Sequence, residues 1–217
     1  MTRPRRQALS DSVYETVKAL IMDRRIDPGE RLNIDALARD LDVSPTPVRE
    51  AMARLEADGL VTKRALAGYS VAPLMNDDAL DQLFELRLLL EPHCAGLAAS
   101  QAAPETVQDL AVLLKEFPKA GPGEDYQAYR AMAQADTVFH DLVIRAAGRD
   151  MIADTLTRLH YHMHMYRLWY RSGPAHSTHA EHARIVRAIR RGDAEAASAA
   201  MTTHLERSWK RVSRTRT

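Results

Sequence analysis

The sequence predicts a mainly α protein in two parts: a small N-terminal helix-turn-helix unit that ends in a β-hairpin, then an all-α antiparallel helical bundle. Three observations carry this expectation. Two short amphipathic patterns lie on either side of a tight turn, and paired strand patterns follow around a glycine loop. From residue 77 onward the apolar residues recur only at helical spacing, with no strand signal. Breakers divide that second stretch at Pro104, Pro118 to Gly123, Gly148, Gly173-Pro174 and Gly192.

The elements follow in order. Residues 1–9 read as a flexible arm. Val13, Val17, Leu20 and Ile21 recur at helical spacing from Ser10, so a first helix runs to about Arg25, and Asp27-Pro28-Gly29 stops it. Ile34, Leu37, Ala38 and Leu41 make a second, short helix with Asn33 as its N-cap. Ser44 caps a third, with Pro45 at its first position, where a missing N–H costs nothing, and Pro47 still within the first turn. That helix runs to Asp58 and ends at Gly59. Leu60 to Lys63 and Tyr69 to Ala72 are strands around Arg64 to Gly68, a small wing. Residues 10–72 thus form a winged helix-turn-helix, 73–77 a linker and 78–212 the bundle, with 213–217 a basic tail. The bundle helices fall at 77–100, 104–116, 124–147, 150–171, 176–191 and 193–212.

Composition narrows the function. Hydrophobic content of 46% and charged content of 27% are ordinary for a globular protein. No run approaches the roughly 18 apolar residues of a membrane span. The basic start Met1-Thr2-Arg3-Pro4-Arg5-Arg6 is followed by no apolar signal core, and the one cysteine, Cys94, cannot form an internal disulfide, so a cytoplasmic location is expected. A net charge of +1 gives no global attraction to nucleic acid, so any DNA contact depends on local placement of cations. Arg207, Lys210, Arg211, Arg214 and Arg216 form a C-terminal basic run, expected to be solvated rather than DNA-contacting.

On the third helix Val48, Ala51, Met52 and Leu55 form the inner face, and Ser44, Thr46, Arg49 and Arg54 are the polar groups near the outer one. A helix entering the major groove offers its N-terminal side chains to bases and phosphates. Ser44 and Thr46 suit phosphates, Arg49 suits a phosphate or a guanine edge, and Gly68 lets the wing backbone approach a minor groove. The run Pro28-Gly29, Leu37-Ala38, Val43-Ser44-Pro45-Thr46-Pro47-Val48-Arg49-Glu50-Ala51 and Arg54-Leu55-Glu56-Ala57-Asp58-Gly59-Leu60-Val61 resembles the N-terminal pattern of the GntR family of bacterial transcription regulators. The resemblance implies a homodimer on a pseudo-palindromic double-stranded operator, acting as a repressor and not as an enzyme. GntR relatives usually carry Arg between the Ser and Thr of this turn. Pro45 stands there, so the operator is expected to depart from the family's common one at that position.

In the bundle, Asp136 and His140 are four apart on one helix face. His182 lies ten residues before Gly192 and His204 twelve after it. If Gly192 turns an antiparallel pair, the two lie roughly 15 and 18 Å from the turn at about 1.5 Å per residue and can converge. One carboxylate and three imidazoles suit a divalent transition metal, namely zinc, nickel, manganese or iron, with zinc the ion expected on isolation. Each pair alone is also compatible with unrelated surface residues. Together, behind this N-terminal unit, they resemble the C-terminal domain of the FadR subfamily, the FCD domain, where an Asp, a His four residues later and two later His hold a metal at the floor of an effector pocket. Arg87 and Glu91 match the subfamily's Arg-x-x-x-Glu. The resemblance implies that Arg87 clamps the carboxylate of a small organic acid, and an i,i+4 surface ion pair is the other reading. Tyr166 and Arg167, in the polar-aromatic run from His160 to Tyr170, are further candidates for binding the effector. Two alternatives stay open: a regulator whose metal is purely structural or itself the signal, and a metal-dependent hydrolase, for which no general base is well placed.

Overall fold

A computed structural model describes residues 3–65, 67–118, 126–169 and 176–213, with side chains for all of these except 3–6, 126–129, 162, 166, 169, 176 and 177. The chain divides into two compact units, Met1–Leu74 and Met75–Thr217.

The first unit contains α1 (Arg3–Met22), β1 (Arg31–Leu32), α2 (Ile34–Asp40), α3 (Pro45–Ala57), β2 (Val61–Arg64) and β3 (Gly68–Val71). Helix α1 takes in residues 3–9, which the sequence pattern left as an arm. Pro4 falls in the first turn, where proline is tolerated, and Arg5 to Leu9 are good helix formers. Val48, Ala51, Met52 and Leu55 on α3 are all 0% exposed and pack towards α1, where Val13, Val17 and Ile21 are buried. The Asn33 side chain accepts from the backbone N–H groups of Asp35 and Ala36, both at 2.9 Å, and so caps α2. Ser44 occupies the N-cap position of α3 but its side chain makes no capping bond. At the other end Gly59 has φ 71, and Leu60 N–H reaches the Leu55 carbonyl at 2.9 Å. This left-handed stop turns the chain from α3 into β2. The antiparallel sheet has the order β1-β3-β2, with Leu32 opposite Tyr69 and Val61 opposite Val71. Strand β1, two residues long, was too short to leave a periodicity in the sequence.

The second unit contains α4 (Asp77–Gln101), α5 (Pro104–Glu116), α6 (Tyr126–Ala146), α7 (Asp150–Arg158), α8 (Tyr161–Trp169), α9 (His176–Arg190) and α10 (Ala194–Ser213). The single helix expected over 150–171 is therefore two. The break falls at His160, whose φ of 44 is left-handed. On an unbroken helix Tyr161 and Met165 would stand about 80–120° around the axis from Ala153. The break lets Ala153 and Leu156 enter the main core while Tyr161 and Met165 join a second cluster with Leu80, Leu83, Phe84 and Val212.

The main core is built from small residues of α4 (Cys94, Ala95, Ala98), from Phe139 and Val143 of α6, Ile185 and Ile189 of α9, and Met201 and Leu205 of α10. Helix α10 runs close against α4 at Gly96, where an added Cβ would lie 3.2 Å from the Ala194 carbonyl oxygen. Gly192, at φ 69, ends α9, and Asp193 then caps α10 by accepting from the Ala196 N–H at 3.0 Å. The resulting hairpin brings His182 and His204 to the same depth in the bundle. In the turn after α6 Gly148 takes the left-handed position at φ 62, and Arg149 sits at φ −117. No described helix is long and apolar enough to cross a membrane.

Candidate functional site

Asp136, His140, His182 and His204 converge inside the bundle. Each offers a ligand atom, and these atoms all lie within 4.8 Å of one another. His140 Nε2 is 3.2 Å from His204 Nε2, His182 Nε2 is 3.4 Å from Asp136 Oδ1, and His140 Nε2 is 3.9 Å from Asp136 Oδ2. The three imidazoles are buried and Asp136 is partly exposed.

The donor set passes a direct test of fit. Nδ1 of His140 faces the Glu91 carboxylate at 2.5 Å, and Nδ1 of His204 faces the Glu181 carboxylate at 2.9 Å. A carboxylate only accepts, so both Nδ1 atoms donate, and in a neutral ring the Nε2 atom is then the one with the lone pair. With both rings neutral, two lone pairs face each other across 3.2 Å, an arrangement that a bound cation would satisfy. Two imidazole nitrogens each about 2.0–2.1 Å from one zinc ion stand roughly 3.0–3.4 Å apart. His182 adds a second sign: neither of its ring nitrogens has a hydrogen-bond partner among the described residues, although the ring is 0% exposed. Burial, reinforced by the neighbouring His204 and His140, pushes its pKa well below the usual imidazole value. Burial lowers His204 as well, against the opposing hydrogen bond to Glu181. Neutral imidazoles are the form that ligates metal.

The surroundings fix each ring differently. His182 stacks on Phe139, with centroids 3.8 Å apart and planes 12° off parallel, and meets the edge of Phe117 at 5.1 Å. His140 is held by Glu91, whose other oxygen accepts from Arg87 Nε at 2.6 Å. Burial would raise the Glu91 carboxyl, but Arg87 and His140 outweigh it and hold the group far below the carboxylate range. The Arg87 guanidinium, 2% exposed, lies 4.0 Å above the Tyr161 ring, and its Nη2 is 3.3 Å from the Tyr161 hydroxyl and 3.5 Å from His140 Nε2. This excludes the surface-ion-pair reading of Arg87 and Glu91: both are in the interior, and Arg87 adjoins the cluster.

Glu181 accepts from Arg211 at 3.0 and 3.1 Å and lies 3.7 Å from Arg207. Burial pushes Glu181 up, while the bonds from His204 and Arg211 overcome it and bring the pKa to about 2. The basic run at the C-terminus is therefore not simply solvated, because Arg211 is 15% exposed and serves a buried carboxylate. Arg214 and Arg216 lie outside the described residues, as does the side chain of Tyr166. Arg167 is buried on α8 at 1% exposure. His179 Nε2, three residues before His182 on α9, lies 3.2 Å from the Leu114 carbonyl. Phe117, Phe139, Glu181 and Tyr161 were not singled out as site residues by sequence. Glu181, next to His182 and one helical hairpin from His204, was the one with a usable signal.

In the first unit Ser44, Thr46 and Arg49 are exposed together at the start of α3, and Gly68 is exposed in the wing with φ 80. Arg54 departs from that set. It stands about 140° around the helix from Arg49. Its Nη1 donates to Asp11 at 2.5 Å, and its guanidinium lies 4.2 Å above the Tyr14 ring. Arg54 thus joins α3 to α1.

A winged helix-turn-helix followed by a helical bundle with a buried His/Asp cluster is the architecture of a DNA-binding transcription regulator. The comparisons with known proteins agree. The family of bacterial regulatory proteins named gntR matches residues 9–71, and the FCD domain matches residues 82–207. The chain belongs to the GntR family, in the group that carries an FCD domain. It is 30% identical over 226 residues to the Uxu operon transcriptional regulator of Escherichia coli, covering 89% of this chain and 84% of that one. It is 29% identical over 195 residues to the HTH-type transcriptional regulator YdhC of Bacillus subtilis, covering 88% and 85%. The fold is that of E. coli McbR/YncC, with TM-score 0.71 and 19% identity over 96% of this chain and 99% of that one. These relatives are regulators that bind DNA and not enzymes, so the hydrolase alternative falls.

Proposed function

We propose that this chain is a metal-containing, ligand-responsive transcription repressor that binds a pseudo-palindromic operator as a cytoplasmic homodimer. Asp136, His140, His182 and His204 hold a divalent transition metal, zinc on isolation and zinc, nickel, manganese or iron in the cell. When bound, the metal would supply positive charge that attracts an anionic oxygen. A small organic acid binds there, with Arg87, Arg167 and Tyr166 as the protein's own contacts. The observation that carries this reading is the set of four ligand atoms within 4.8 Å, with the Arg87 guanidinium directly beside it. Arg87 keeps Nη2 turned towards the cluster while Nε is engaged by Glu91. Ser44, Thr46 and Arg49 read the operator, with the Gly68 wing beside them. With Pro45 in place of a donor side chain, footprinting should recover an operator that differs from the family's common one at the corresponding base pair. The family's usual operator bound at full affinity would refute that expectation.

Effector and operator affinities must shift by the same factor, because the coupling is reciprocal. The test is thermal unfolding of the purified protein against small carboxylic and sugar acids, with zinc or nickel and again after chelation. A stabilising acid whose effect grows with the logarithm of its concentration and vanishes on chelation supports the reading. A purely structural or directly sensed metal is the second reading, favoured by the full burial of His182. Replacing His204 with Ala separates the two. Lost folding indicates a structural metal, whereas a folded protein that binds DNA but ignores the acid indicates a ligand platform.

A further inference from the structure

We propose that Glu181, clamped by Arg211, is a positioning residue that keeps the His204 proton on Nδ1 and so aims the Nε2 lone pair into the cluster. This assignment rests on the metal reading above. Glu181 precedes His182 on α9, and the step of about 100° between neighbours turns its carboxylate away from His182 and towards α10. There it spans two turns of one helix. Its Oε2 is 2.9 Å from His204 Nδ1, and both terminal nitrogens of Arg211, seven residues further on, donate to it at 3.0 and 3.1 Å. A carboxylate engaged by a guanidinium through two bonds is an acceptor with a fixed plane. Facing it, His204 Nδ1 has only the role of donor, and Nε2 is left as the lone pair that lies 3.2 Å from His140 Nε2.

The three imidazoles are thus oriented by different means. Glu91 with Arg87 holds His140 from α4. Two phenylalanine rings hold His182. Glu181 with Arg211 holds His204 from the far side of the α9–α10 hairpin. Arg211 donates to both oxygens of Glu181, and its contribution to His204 passes through that carboxylate.

The test uses the full chain. Long-range ¹H–¹⁵N spectra of the metal-free protein report which ring nitrogen of His204 bears the proton. Nδ1–H is expected, and Nε2–H overturns the assignment. Zinc affinity is then measured by competition with a chromophoric chelator. Glu181→Gln should bind zinc 10- to 100-fold more weakly with unchanged helicity, in line with the usual cost of losing a partner behind a metal-binding histidine. Its amide can present a donor to Nδ1, so the His204 proton should redistribute towards Nε2. Glu181→Asp should recover part of the affinity. Unaltered zinc affinity in a folded Glu181→Gln overturns the assignment but leaves the metal reading standing. An unaltered chain that binds no zinc, nickel or manganese overturns both. Should Glu181→Gln fail to fold, the His204 tautomer in the unaltered protein decides the matter.

Discussion

The two units put their polar side chains to use in opposite ways. In the first, the inner face of α3 is purely apolar, with Val48, Ala51, Met52 and Leu55 fully buried, and Ser44, Thr46 and Arg49, the proposed DNA contacts, stand in water at the start of the helix. In the second, charged and titratable groups occupy the interior: Arg87 and Glu91, the three histidines of the cluster and Glu181 are all nearly or fully buried. Function and stability can therefore be separated in the first unit. In the second they are tied together, because a buried ion left without its partner costs far more than an exposed one.

That contrast can be broken at specific positions. The largest effect is expected at Glu91→Gln. It leaves the Arg87 guanidinium buried without its counter-charge and should destabilise the protein by about 3–5 kcal/mol, read from denaturant unfolding. A loss within about 0.5 kcal/mol, the ordinary range for surface changes, would show that the interior ion pair is not what the second unit depends on. Arg49→Ala sharpens the other side. Operator binding should weaken by about 1–3 kcal/mol by titration of labelled DNA. The unfolding midpoint should meanwhile stay within about 0.5 kcal/mol of the unaltered protein. A large stability loss there would erase the distinction between the units.

His182→Leu is expected to act in two directions. Removing buried ring nitrogens that make no hydrogen bond among the described residues should raise metal-free stability or leave it unchanged, the relief being about 1–2 kcal/mol. The stabilisation by added zinc should disappear. A protein that is less stable without metal and still responds to zinc would show that His182 is a packing residue. The smallest effect is at Asn33→Ala, which removes the two capping bonds of α2 and should cost about 1 kcal/mol with DNA affinity falling only through folding. An unchanged unfolding midpoint would mean that water satisfies those N–H groups equally well.

The same contrast explains how much was legible in the sequence. Elements whose signal is local were readable: the α3 inner face from its spacing, the Asn33 cap, and the stops at Gly59 and Gly192. The four cluster residues were picked out by their resemblance to the FCD pattern; their spacing, two a helical turn apart and two flanking a glycine turn, was compatible with convergence but did not establish it. Elements that depend on partners distant in the chain were not readable. Strand β1 exists through its pairing with β3. The break at His160 is set by two separate clusters competing for one stretch of helix. Arg54 is exposed, as its spacing suggested, but its pairing with Asp11 and Tyr14 of α1 was not readable from the sequence.

By itself the sequence determined the order of most of the helices, the wing and the apolar faces, and its resemblance to the FCD pattern supplied the candidate ligand set. Spacing, caps and breakers act within a few residues, and the chain carries that information directly. The tertiary structure alone decided that Arg87 and Glu91 are interior, that Phe139 and Phe117 orient His182, and that Arg211 reaches back to Glu181. Those contacts join residues tens of positions apart. Their roles follow from a burial and a dielectric that exist only once the helices have packed.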